Sequence, residues 1–296
     1  MTTPPGSAAR LTAPWLPAPA YFAVSAVFHY LGPAFAVVLF ARVDVLGVVW
    51  LRIAAAAVVF ALWRRPWRAI RHLGAEQRRT LLLLGVVLAA MNTTFYLAIA
   101  RLPLATVGAI EFLGTIVLAA IGLRSRRNVI ALVLAVGGVV ALTDLQLTGA
   151  PLGLLFAFVN CALFMLYVVL GHRIANTGTG FSGIDQLGAA MLIAAVIAAP
   201  FCAAAAAPAF TSPATLLAGA AVGICSSVIP YVTDQLAMAR LRRSTFALML
   251  SILPAVATVI GIVVLAQIPT AQELAGVALI AAGVAVHQEP QEDKEN

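Results

Sequence analysis

The chain is a succession of apolar runs, most about twenty residues long, each closed by a short break of turn-forming or charged residues. About 20 apolar residues in a helix cross the hydrocarbon core of a bilayer. In lipid a backbone must also satisfy its own hydrogen bonds, which admits helices for runs of this length. The pattern therefore predicts an all-α integral membrane protein. The runs fall at 19–40, 44–63, 80–100, 104–122, 129–143, 151–171, 182–202, 214–237, 244–267 and 271–287, which makes ten transmembrane helices. The run at 129–143 is the shortest. The breaks carry turn chemistry: Arg101-Leu102-Pro103, Gly149-Ala150-Pro151, Thr177-Gly178-Thr179-Gly180 and Ile268-Pro269-Thr270. The longest break, 64–79, is too short to fold as a soluble domain.

Composition agrees. Of 296 residues, 62% are hydrophobic and 10% charged, which leaves a soluble fold almost no charged surface. Residues 1–18 and 288–296 read as cytoplasmic tails. The first apolar run reaches full spanning length, so it is not a cleavable secretory signal. The three cysteines, Cys161, Cys202 and Cys225, lie in apolar runs without metal-ligand spacing and read as small packing residues. No metal and no cofactor is expected.

The net charge of +7 invites a nucleic-acid reading, but the charges cluster in the breaks between runs. Orientation and anionic lipid headgroups account for them, so no nucleic-acid partner is expected. With both termini in the cytoplasm, inside segments hold 15 of the 18 basic residues: Arg10, Arg64, Arg65, Arg68, Arg71, Arg78, Arg79, Arg124, Arg126, Arg127, Arg173, Arg240, Arg242, Arg243 and Lys294. Outside breaks hold Arg42 and Arg101, and Arg52 lies within a run.

The halves resemble each other. Ala98-Ile99-Ala100-Arg101-Leu102 matches Ala237-Met238-Ala239-Arg240-Leu241, and the same offset pairs Thr106 with Thr245 and Thr115 with Pro254. Gly138 pairs with Gly283 at a slightly larger offset. With five runs in each half, the second must cross in the opposite sense. The domain reading is two inverted five-helix repeats, 19–143 and 150–287, with a site at their interface.

Arg52 and Glu111 are charges within otherwise apolar runs. A charge in the bilayer costs roughly 2.5–3.5 kcal/mol on insertion scales and normally faces a partner or a water-filled cavity. Counted from the outer helix ends at 1.5 Å per residue, Arg52, Glu111, Asn92, Asn160 and His29 share a slab roughly 10–17 Å below the outer surface. Each has a plainer account as well. Arg52 and Glu111 can pair structurally, the asparagines can tie helix to helix, and His29 can be a packing residue. A guanidinium offers a planar fork of donors to a carboxylate. Low dielectric disfavours a charged carboxyl, which suits proton exchange near neutral pH, and a carboxylate also takes an ammonium. Together the two groups suit a zwitterionic amino acid and a proton-driven cycle. Tyr30, Phe95, Tyr96, Phe112, Tyr167 and Tyr231 are candidate cavity walls. Pro33 and Pro254 lie inside runs, where a missing N–H frees a backbone carbonyl. Asp234 and Gln235 stand near Arg240 and Arg243, as a surface ion pair or a cytoplasmic gate.

Three stretches carry a family resemblance: 91–114 (MNTTFYLAIARLPLATVGAIEFLG), 47–68 (GVVWLRIAAAAVVF followed by ALWRRPWR) and 274–286 (LAGVALIAAGVAV). They resemble the drug/metabolite transporter superfamily, and within its EamA branch the bacterial threonine/homoserine exporters. The resemblance implies ten helices in two inverted repeats, a bacterial inner-membrane location and efflux driven by a proton gradient. It carries Arg52, Asn92, Tyr96 and Glu111 over as polar or aromatic motif positions. The chain departs from the family's pattern at Leu253 and Gln267, where glutamates are common, and at Thr115 in place of a proline. The second half is thereby stripped of ionisable groups, which puts the weight on Glu111.

The reading is a secondary-active exporter of small amino acids or related metabolites, threonine/homoserine-like, working by proton antiport. The substrate-binding candidates are Arg52, Glu111, Asn92, Tyr96, His29, Asn160, Phe112 and Tyr231, with Glu111 also coupling the proton. The partners are a small-molecule substrate, protons and membrane lipids, and a homodimer stays open. Efflux of other metabolites or cationic drugs is the alternative, opposed by Arg52. A membrane-embedded lipid-modifying enzyme needs acidic or histidine clusters in cytoplasmic breaks, where Glu76 is the main acid. A structural or assembly factor needs no buried charge layer. The orientation is testable with reporter fusions. A phosphatase joined in the 101–103 break should be active and one joined within 64–79 silent, and the reverse pattern would invert the topology.

Overall fold

The computed structural model describes residues 17–122, 125–146, 150–175, 182–238 and 252–286. Among them the regular structure is helical: α1 (Ala18–Leu39), α2 (Val45–Arg64), the short α3 (Trp67–His72), α4 (Ala75–Ile99), α5 (Leu104–Gly122), α6 (Arg126–Gln146), α7 (Pro151–Ala175) and α8 (Gly183–Cys202). A 3-10 segment, Ala204–Thr211, leads into α9 (Pro213–Gly223), a π turn (Ile224–Val228) and α10 (Ile229–Met238). The last helices are α11 (Leu253–Leu265) and α12 (Ala271–Val286). Six stretches are long and apolar enough to cross a membrane: within α1, α2, α4, α7 and α8, and the continuous helix over Pro213–Asp234. Shorter apolar helices lie at Leu104–Gly114, Leu253–Leu265 and Ala271–Val286.

The expected boundaries shift where charge and helix part company. The run at 129–143 belongs to a helix of 21 residues, Arg126–Gln146. Hydropathy stops at the first charge, whereas backbone hydrogen bonding does not. The 64–79 break is not all loop, because α3 forms within it. The expected first part of the ninth helix (244–251), the basic cluster Arg240, Arg242 and Arg243, and most of both tails lie outside the described residues.

Local chemistry sets the helix ends. The Asp44 carboxylate accepts from Leu46 N–H and caps α2, and Arg65 closes it in the left-handed region. At α8 the Ser182 hydroxyl accepts from Asp185 N–H while the Asp185 carboxylate accepts from Ser182 N–H, a reciprocal box. Asp185 also pairs with Arg64 at 2.8 Å, tying the end of α2 to the start of α8. At the opposite end of the bundle, Leu104 N–H donates to the Gln267 side chain at 3.0 Å.

The helices pack as a set of neighbours: α1 on the Pro213–Met238 stretch and on α11, α2 on α8 and α9, α4 on α7 and α8, α5 on α7, α11 and α12, and α6 on α12. Outward faces are apolar and bare, with Leu62, Phe201 and Val263 each more than three-quarters exposed. Surface of that kind needs lipid around it. At α6–α12 the backbones meet through glycine: a Cβ on Gly138 would lie 2.6 Å from the Gly276 carbonyl, and one on Gly283 would lie 2.8 Å from the Ala131 carbonyl. Small residues are what permit so close an approach. Gly138→Leu should therefore cost about 1–3 kcal/mol of overpacking and lower the melting temperature in detergent. An unchanged melting curve would show that the interface relaxes.

Candidate functional site

Arg52 is buried in α2, and its charge is met by the π turn in the helix across from it. The guanidinium Nε donates to Ser227 Oγ at 2.9 Å and Nη2 to the Ser226 carbonyl at 3.2 Å. Its carbon lies 5.0 Å from the centre of the Tyr96 ring, within range of a cation–π contact. The acceptors have a local cause. Pro230 has no N–H to give the Ser226 carbonyl four residues back, and the π turn re-aims both serines. Ile229 N–H there reaches back to Ile224, one residue further than in an α-helix. Ser226 Oγ donates to Val222 O at 2.6 Å and lies 3.4 Å from the Tyr96 hydroxyl.

Glu111 is held separately. Asn160 Nδ2 of α7 donates to Glu111 Oε1 at 3.3 Å, and His29 Nε2 of α1 lies 4.0 Å from Oε2. Glu111 Oε2 and Asn160 Oδ1 are buried without a hydrogen-bond partner among the described residues. A cavity joins the two charges. It is lined by His29, Arg52, Asn92, Glu111, Asn160 and Tyr231 together with Pro33, Met91, Phe95 and Phe164, and measures about 30 Å³. That is room for a water-sized group, far less than an amino acid.

Six of the eight sequence candidates thus line one cavity. Tyr96 stands behind Arg52 as its aromatic platform, and Phe112 touches Phe164 edge-on, one ring removed from the lining. Asn92 bonds its own helix, donating to Leu88 O at 2.7 Å, and no neighbouring helix among the described residues. Arg52 bonds to the two serines, where sequence reasoning allowed a structural pair with Glu111. Those serines were missed. The signal for them was Pro230, four residues beyond Ser226 inside an apolar run. Asp234 lies in α10, while Arg240, Arg243 and the Gln235 side chain lie outside what is described. All three cysteines are free.

An apolar helical bundle with oppositely charged side chains around an internal cavity has the build of a multi-pass membrane transporter. Residues 151–287 match the EamA-like transporter family. The threonine/homoserine exporter RhtA of Salmonella typhimurium (strain LT2) is 34% identical over 97% of this chain and 97% of its own. RhtA of Escherichia coli (strain K12) is 33% identical over 95% of this chain and 94% of its own. A solved crystal structure, 19% identical, covers 90% of this chain and 96% of that one with a TM-score of 0.58. At that identity it bears on the fold alone. The chain belongs to the EamA-like transporter family, and is a transporter and not an enzyme.

Ser227→Ala should leave Arg52 Nε without its acceptor. A hydrogen bond to a charged group contributes about 1.5–3 kcal/mol, so the variant should unfold at a lower temperature in detergent, and Ser227→Thr should recover most of the loss. Equal stability of Ser227→Ala and wild type would mean that water satisfies the guanidinium.

Proposed function

We propose that this chain is an inner-membrane exporter of small zwitterionic amino acids of the threonine/homoserine kind, driven by proton antiport. The observation that carries the reading is the placement of Arg52 and Glu111 on one cavity wall, each with its own partners. An ion pair satisfied by itself would leave nothing for a cargo. Two opposite charges held apart match a molecule with a carboxylate at one end and an ammonium at the other. The names of the RhtA relatives agree with that cargo class.

The charge pattern also supplies a coupling rule. With Glu111 ionised, the cavity complements a zwitterion. With Glu111 protonated, Arg52 stands alone and the ammonium loses its counter-charge. Proton and cargo then exclude each other, which is the requirement of antiport. His29 stands beside Glu111 on the same cavity, its Nε2 4.0 Å from Oε2. The basic residues support an orientation with both termini in the cytoplasm.

Helix neighbours support ten spans in two inverted repeats, 19–143 and 150–287. Shifted by five spans, the contact of α1 with the Pro213–Met238 stretch becomes that of α7 with α4, and α5 on α7 becomes α11 on α1. The contacts α2–α8 and α6–α12 map onto themselves. The family match at 151–287 covers nearly the same residues as the second repeat.

Export of labelled threonine and homoserine from cells tests the assignment. Glu111→Gln and Arg52→Ala, at wild-type expression, should each lose at least about tenfold in rate, the scale of one lost charge-assisted contact. Unchanged export by both variants would refute it. Loss in Glu111→Gln with Arg52→Ala spared would favour cation efflux.

A further inference from the structure

Two acceptor atoms at the cavity accept no hydrogen bond among the described residues, and His29 Nε2 stands 4.0 Å from one of them, Glu111 Oε2. Glu111 Oε2 and Asn160 Oδ1 are buried without partners among the described residues, and both side chains line the cavity. Glu111 is 4% exposed and Asn160 is fully buried. A buried acceptor without a donor is costly, and apolar side chains would avoid the cost. The one bond between them fixes their orientation. A carboxylate only accepts, so the Asn160 nitrogen must face Glu111 Oε1 and the amide oxygen is left to point elsewhere. The pair therefore offers one charged and one neutral oxygen, from α5 and α7.

Only a donor-rich group satisfies both. Of the protein's own donors on the cavity, Arg52 has Nε on Ser227 and Nη2 on Ser226, and His29 Nε2, 4.0 Å from Glu111 Oε2, is beyond hydrogen-bond distance. The space of about 30 Å³ takes one water-sized group. An ammonium head fits that space, and the rest of an amino acid does not, so a full cargo needs a wider conformation. We propose that Glu111 Oε2 and Asn160 Oδ1 form a subsite for a primary ammonium, in which Asn160 is the residue that selects cargo bearing one. This rests on the site reading above and assigns its ammonium end. The carboxylate alone would attract any cation. The amide oxygen adds a second, directed bond without adding charge. A hydronium ion carries the same donors, so the test must separate the two.

Two measurements do so. In the first, purified protein in detergent is unfolded thermally in methylammonium chloride against sodium chloride at equal ionic strength. Wild type should be stabilised selectively by methylammonium, and Asn160→Leu and Glu111→Gln should not. No selective shift in wild type would overturn the proposal and leave hydronium as the occupant, and an undiminished shift in Asn160→Leu would overturn it equally. In the second, inside-out vesicles take up labelled threonine against unlabelled threonine or its 2-hydroxy analogue, which keeps the carboxylate and lacks the ammonium. A site built to hydrogen-bond a group rejects the analogue without it, so wild type should prefer threonine by about tenfold or more. Asn160→Leu should narrow that preference with the analogue's affinity unchanged, whereas an equal loss for both competitors, or none, would overturn the role of Asn160. The methylammonium measurement does not need threonine to be the cargo. Selective binding without threonine transport would sink the proposed function and keep the subsite.

Discussion

The structure turns on solvating one guanidinium inside a bilayer. Arg52 sits where water is scarce, and a charge there must be met by dipoles or by an aromatic face. The protein meets it with a π turn in the opposing helix. Pro230 and the π turn expose the Ser226 carbonyl and the Ser227 hydroxyl, and Tyr96 covers the remaining face. That arrangement ties α2, α4 and the Pro213–Met238 stretch together. Glycine lets them close up: a Cβ on Gly223 would lie 2.7 Å from the Arg52 carbonyl.

Because Arg52 is satisfied in this way, Glu111 need not neutralise it. A closed pair of opposite charges, desolvated and mutually satisfied, is a structural element with little left to give a ligand. Here the carboxylate accepts from Asn160 through one oxygen, and its second oxygen, 4.0 Å from His29 Nε2, is buried without a hydrogen bond among the described residues. Both charges keep some of their chemistry in reserve, and the volume between them is small. On the function proposed above, transport requires helices to part around the cavity. The lining comes from α1, α2, α4, α5, α7 and α10, so movement of any of these helices alters its shape.

Much of this was legible in the residues. Spanning runs follow from hydropathy, because lipid tolerates so few alternatives to helix. Arg52, Glu111, Asn92, Asn160 and His29 stood out because polar groups are costly there, and counting from helix ends assigned them a common depth that the shared cavity accommodates. Phe112 did not reach the lining, because hydropathy is silent on which way a ring turns around its helix. Ser226 and Ser227 were not singled out at all. Serine is unremarkable in a transmembrane helix, and its role here depends on a partner 174–175 residues away in sequence.

The sequence by itself determined that the chain is helical and membrane-embedded, and that its intramembrane charges are few. Those properties follow from transfer free energies and helix length, which are local and nearly additive along the chain. Only the tertiary structure decided which donor meets which acceptor: Arg52 with the serines, Glu111 with Asn160, and two oxygens without a hydrogen bond among the described residues. Such pairings depend on helix rotation and on a one-residue shift in backbone bonding at the π turn. Neither leaves a periodic trace in the residues, because both arise only when one helix packs against another.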